Sequence, residues 1–202
     1  MESTENKIYS TIKKKTTDGY AFSSIDFIGD FSRDSIDKAL STLVKKNKIR
    51  RVARGIYDYP EYSDFLKQEL SPNIEEVAKA LARKFNWRIE ISGESALNIM
   101  GLSTQVVGRY VYLSDGTNRT YNIKGTTLEF KKASLKNMGF KHDESKLIVQ
   151  ALKALGKEHI TKDVIEKIRK YIEPKMYSNI RNDTQTTVIW IYDTIKQICR
   201  VE

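Results

Sequence analysis

The segment SRDSIDKALSTLVKKNKIRRVARGIYDYP, from Ser32 to Pro60, changes its hydrophobic period once, and that change decides the fold of the N-terminal third. Ile36, Ala39, Leu40, Leu43 and Val44 recur at i, i+3, i+4, i+7 and i+8, the spacing of one helical face, so a helix is predicted from about Arg33 to Lys46. Ser32 stands where a hydroxyl can accept from an orphaned N–H of the first turn. Asp34, Asp37, Lys38, Ser41 and Lys45 fall on the opposite face, with Arg33 and Ser35 near its N-terminal end. Beyond this helix the pattern becomes a partial alternation. IRRVA and GIYDY read as two strands joined at Arg54-Gly55, where glycine supplies the positive φ that a tight hairpin turn often needs.

Charge clusters in the same segment. The chain carries 35 Lys and Arg against 26 Asp and Glu, a formal net charge of +9 in 202 residues. Such a balance fits a nucleic-acid partner but also suits many basic proteins. Locally the bias is sharper: no Asp or Glu occurs between Lys38 and Tyr57, and Lys45, Lys46, Lys48, Arg50, Arg51 and Arg54 crowd together. A cationic surface patch is expected there.

Working outward toward the N-terminus, TENKIYSTIKKK carries Ile8 and Ile12 at helical spacing and reads as a first helix ending near Asp18-Gly19. Tyr20-Ala21-Phe22 is long enough for a brief strand. Ser23 and Ser24 cap a short helix IDFIGD, expected to point Ile25 and Ile28 inward, and Phe31 closes the contact. The order helix, strand, short helix, helix, hairpin resembles a winged helix-turn-helix over about the first sixty residues. That resemblance implies that the third helix enters the major groove of DNA while the hairpin wing contacts the backbone or minor groove.

After Pro60, EYSDFLKQELSPN reads as a connector, and NIEEVAKALARKFN as a helix opening a second domain. RIEIS and RYVYLSD read as strands, SGESALNIMGL as a turn and short helix, and TYNIKGTTLEFKKAS as a hairpin turning at Lys124-Gly125. The strand running into Ser92-Gly93-Glu94-Ser95 resembles the opening of nucleotidyltransferase domains. Those enzymes need paired carboxylates on the next strand to hold Mg²⁺, and Tyr110-Val111-Tyr112-Leu113-Ser114-Asp115 offers one, beside a turn glycine. Catalysis is disfavoured on that count. With two histidines and one cysteine, a zinc site is not expected, and no catalytic residue, metal or cofactor is assigned. His142 and His159 read as helix-start residues, and Cys199 as part of an apolar helix.

The run ISGESALNIMGLSTQVVGRYVYLSDGTNRTYNIKGTTLEFKKAS, taken with KIRRVARGIYDYP upstream, resembles the AbiEi-like antitoxins of bacterial type IV toxin–antitoxin (abortive infection) systems. Arg51, Arg54, Gly55 and Tyr57 match the wing pattern R-x-x-R-G-x-Y. Gly93, Ser95, Ala96, Leu97, Gly101 and Leu102 match S-G-x-S-A-L-x-x-x-G-L, read as structural. The resemblance implies a DNA-binding autorepressor of its own promoter. Its second domain would counter a nucleotidyltransferase-like toxin, without a stable complex being required, in phage defence.

The expected fold class is therefore α+β: a winged helix-turn-helix at residues 1–62 and an α+β domain with a small mixed sheet and C-terminal helices at residues 72–202. SKLIVQALKAL, TKDVIEKIRKYI and TTVIWIYDTIKQIC read as those helices, with Asp143 and Thr161 as caps, Gly156 as a stop, and Tyr171 placed on a packed face. The expected DNA-contacting set is Ser32, Arg33, Ser35, Lys38, Ser41, Lys45, Lys48, Arg50, Arg51, Arg54 and Gly55. The partner is double-stranded DNA, bound by a monomer or weak dimer. With no apolar leader and no span of about 18 apolar residues, a soluble, cytoplasmic protein without membrane contact is expected. Two alternatives stay open: an inactive or divergent nucleotidyltransferase-like nucleotide binder, and a winged-helix adaptor for protein partners.

Overall fold

The computed structural model describes residues 3–15, 19–103, 108–133 and 139–200. It is an α+β protein divided into two compact units, Met1–Arg88 with Thr120–Leu128, and Ile89–Arg119 with Glu129–Glu202.

In the first unit, α1 (Thr4–Lys15) leads to β1 (Ala21–Phe22), a one-turn 3-10 helix at Ser24–Phe27, α2 (Arg33–Lys45), β2 (Arg50–Ala53) and β3 (Ile56–Asp58). The strands form an antiparallel sheet in the order β1-β3-β2. Ile8 and Ile12 of α1 meet Ile36, Ala39, Leu40 and Leu43 of α2 around Phe22, Phe27 and Ile49. The helical spacing of those apolar positions is thus satisfied by one shared core. Tyr57 and Tyr59 of the returning strand pack against that core, and Tyr57 lies 6.2 Å from Phe22, ring to ring.

Several local expectations need correction. The short helix has a single turn, so Phe27 is its buried residue, while Ile25 and Ile28 are exposed. Asp18, the expected end of the first helix, lies outside the described residues, as do residues 104–107 and 134 of the family-like run. The connector after Pro60 contains a small antiparallel hairpin, β4 (Tyr62–Ser63) and β5 (Gln68–Glu69). The helix placed at the head of the second domain, α3 (Ile74–Phe85), belongs to the first unit and packs on β1, the 3-10 turn and β3. Arg83 joins it there. Its Nε donates to Asp26 Oδ1 at 2.7 Å, its Nη2 donates to the Ala21 carbonyl at 2.8 Å, and its guanidinium lies over the Tyr20 ring.

The second unit holds β6 (Ile89–Ile91), α4 (Gly93–Ile99) and β7 (Arg109–Ser114); of the hairpin of β8 (Arg119–Ile123) and β9 (Thr126–Lys132) that follows, Thr120–Leu128 belongs to the first unit. The sheet order is β6-β7-β9-β8. Lys124 and Gly125, at φ of 48° and 90°, make the hairpin turn. Helices α5 (Asp143–Leu155), α6 (Lys162–Tyr171), α7 (Tyr177–Asp183) and α8 (Ile189–Ile198) complete the unit. Thr161 caps α6 by accepting from the Val164 N–H, as expected, but the N-cap of α5 is His142 and Asp143 is its first helical residue. Helix α7 has no counterpart among the expected helices, and Tyr171 is exposed. Ile191, Ile195 and Ile198 of α8 are buried, whereas Val188 and Ile189 at its start are exposed. Among the described residues, no helix is long and apolar enough to cross a membrane.

Candidate nucleic-acid interface

The interface expected on α2 and the β2–β3 hairpin lies wholly within the first unit. Ser32 caps α2: its hydroxyl accepts from the Ser35 N–H at 3.4 Å and donates to Ser35 Oγ at 2.8 Å. These two serines therefore set the helix start and have their hydroxyls engaged with each other. The helix ends with Asn47 in the left-handed region, the Lys48 N–H bonding to the Leu43 carbonyl and the Asn47 N–H to the Val44 carbonyl. This is a Schellman closure, with asparagine in the position glycine usually takes. Lys48 consequently sits on the link to the hairpin, outside the helix.

Lys38, Ser41 and Lys45 are exposed on α2, as are Asp34 and Asp37. Arg33 Nε donates to Asp37 Oδ2 at 3.1 Å, one turn along the helix. Lys46 is engaged by Glu5 of α1 at 2.7 Å. Among the described residues Lys38, Lys45, Lys48, Arg51 and Arg54 have no ion-pair partner, and all five are exposed.

The adjacent arginines of β2 have opposite roles. Arg50 lies opposite Asp58 in the register and Arg51 lies opposite Tyr57. Directly opposed residues share a sheet face, so Arg51 is on the face that Tyr57 turns to the core of α1 and α2, and Arg50 is on the other. Arg50 grips Asp58 through both carboxylate oxygens, at 3.0 and 2.6 Å, and donates to the Leu70 carbonyl at 2.9 Å. Its side chain is 13% exposed and that of Asp58 1%. Burial pushes the Asp58 carboxyl above its usual pKa, opposed by the Arg50 guanidinium. Arg50 is therefore removed from the phosphate-contacting set, because its donors hold an interior carboxylate and a carbonyl.

A register shift between Arg51 and Ala53 marks a bulge just before the turn. At the turn Gly55 has φ +70°, and the Arg54 carbonyl accepts from Lys84 Nζ of α3 at 2.8 Å. The hairpin tip is thus tied down by its backbone while the Arg54 side chain stays exposed.

In the second unit, Gly93, Ser95, Leu97, Gly101 and Leu102 of the S-G-x-S-A-L-x-x-x-G-L run pack or hydrogen-bond within the fold. A Cβ on Gly93 would lie 2.5 Å from Ala154 Cβ and 2.8 Å from the Gln150 carbonyl, so glycine is what lets α4 meet α5. Ser95 is buried and its Oγ accepts from the Val111 N–H at 3.0 Å, fastening α4 to β7. Gly101, at φ +64°, closes α4: its N–H bonds to the Asn98 carbonyl and the Leu102 N–H to the Leu97 carbonyl. Leu97 and Leu102 then pack together on the core. Among the described residues no group of His, Cys, Asp or Glu could hold a metal ion.

A search of curated proteins finds no match to this chain. One family model does match, described as a family of unknown function (DUF6088), and it covers residues 7–180, from within α1 to within α7. The chain therefore belongs to the DUF6088 family of unknown function.

Proposed function

We propose that this protein is a DNA-binding transcriptional autorepressor built on a winged helix-turn-helix, and the antitoxin of a type IV toxin–antitoxin system. The observation that carries the DNA-binding reading is the pairing of an exposed polar helix face on α2 with two exposed, unpaired hairpin arginines, Arg51 and Arg54, in one unit. The order α1, β1, 3-10 turn, α2, β2, β3 supports the winged-helix assignment. In this arrangement α2 meets base edges in the major groove. Arg51, Arg54, Lys45 and Lys48 neutralise phosphates, releasing counterions and making affinity fall with salt. The antitoxin half rests on the family resemblance of the wing and SGESAL runs, with a nucleotidyltransferase-like toxin as the antagonised partner.

The test is the affinity of the full chain for the duplex upstream of its own gene, measured by fluorescence anisotropy across a salt series. Binding that weakens linearly in log salt is expected, and salt-independent or absent binding overturns the repressor reading. Co-expression with the product of an adjacent nucleotidyltransferase-like gene should relieve growth arrest, and unrelieved arrest overturns the antitoxin reading.

A further inference from the structure

Two carboxylates, Asp34 and Asp37, stand exposed on the helix face that is to approach a polyanion. A face evolved only to grip phosphate would lack them, because each repels the backbone it meets. Asp37 has a specific partner: it accepts from Arg33 Nε at 3.1 Å. The two side chains are 60% and 56% exposed, so solvent screens the pair and it adds little to the stability of the helix. Its value lies in geometry. With Nε held, the guanidinium plane is oriented, and neither terminal nitrogen has a hydrogen-bond partner among the described residues. That leaves a planar two-pronged donor on the first residue of α2. The N-terminal end of a recognition helix is where side chains reach base edges, and a two-pronged guanidinium fits the O6 and N7 acceptors of guanine.

We infer that Arg33 reads a guanine in the major groove and that Asp37 is its positioning residue, holding the fork in the reading orientation. The inference rests on the DNA-binding proposal above and assigns that site its specificity. Lysine could not replace Arg33, since an ammonium presents a point charge and no fork. Asp37 also keeps Arg33 from serving as a phosphate ligand, because its carboxylate repels the backbone.

The experiment is selection of the full-length protein on a randomised duplex library, with bound sequences read out, alongside the salt dependence of binding to unselected duplex. Wild-type protein should enrich a G·C pair at one position. Arg33→Lys and Asp37→Asn should each relax that position by about tenfold, within the range a bidentate base contact supplies. Asp37→Asn should lose the G·C preference while binding unselected duplex as tightly as wild type or more tightly, a loss of selectivity without loss of affinity that a merely helix-stabilising role would not produce. Salt-sensitive binding without enrichment, or enrichment unchanged in Arg33→Lys, overturns this inference and leaves the DNA-binding proposal standing. Absence of any duplex binding overturns both.

Discussion

Replacing Arg50 and Arg51 by alanine, one at a time, separates an arginine that holds the fold from one proposed to meet DNA. Arg50→Ala leaves the Asp58 carboxylate, 1% exposed, without its charged partner and strips a donor from the Leu70 carbonyl. Removing one member of a buried ion pair costs about 3–5 kcal/mol. For a unit of this size each kcal/mol moves Tm by roughly 4–8 °C, so a fall of more than about 10 °C is expected. The loss should depend on pH with a definite sign. Burial already raises the Asp58 pKa, and removing Arg50 removes what opposes that rise. The ionised carboxylate is then the disfavoured form, so destabilisation is greatest at neutral pH and shrinks as pH falls through the raised folded-state pKa toward the unfolded value.

Arg51→Ala removes no ion pair among the described residues and should alter stability by less than about 0.5 kcal/mol. It should instead flatten the log–log salt dependence of duplex binding by about 0.9, the share of one phosphate contact. The assay is urea unfolding followed by Trp87 fluorescence, with Trp190 replaced by Phe, beside anisotropy titrations across salt. If Arg50→Ala kept its stability and lost salt dependence while Arg51→Ala did the reverse, the face assignment on β2 would be wrong.

Gly93→Ala should destabilise by about 1–3 kcal/mol through its clash with α5, and Ala154→Gly should restore only part of this, since the Gln150 carbonyl still blocks the new methyl; a double-mutant cycle in thermal melts measures both. Glu90 is buried, and its carboxyl pKa is raised by that burial against the pull of Lys146 and a hydrogen bond from Gln150, while Oε2 has no hydrogen-bond partner among the described residues. Its ionised form costs stability, so wild-type protein should gain stability as pH falls through the raised pKa, and Glu90→Gln should abolish that gain in pH-dependent melts. Cys199 is buried and its thiol is pushed up to about 11, so it should resist alkylation at neutral pH and react on unfolding; fast labelling of folded protein would contradict its place in the core.

The periodic elements are legible where one long face has a single environment. The stripe Ile36 to Val44 specifies α2, Ser32 its start, and Arg54-Gly55 the turn, because each follows from local geometry. Lys124-Gly125 likewise announces the β8–β9 turn. Sequence and structure part where an element is too short for its period to be read. In a one-turn helix two isoleucines carry no phase, so Ile25 and Ile28 are expected inward although Phe27 is the residue that the core takes. In β2, of four residues, alternation separates Arg50 from Arg51 without saying which one meets a buried carboxylate.

By itself the sequence determined the α+β class, the order of the first unit's elements from α1 to β3, and the cationic character of the Lys45–Arg54 segment. These depend on neighbours along the chain. Tertiary structure alone decided which cations remain available. The register sets Arg50 against Asp58 across the hairpin, while the packing that assigns α3 to the first unit and the ion pair between Lys46 and Glu5 join residues distant in sequence. No local pattern encodes such pairings, because a charged side chain is claimed by whichever partner the packed fold brings within reach. Of the six clustered cations, the fold engages Lys46 and Arg50 and leaves Lys45, Lys48, Arg51 and Arg54 exposed and unpaired among the described residues.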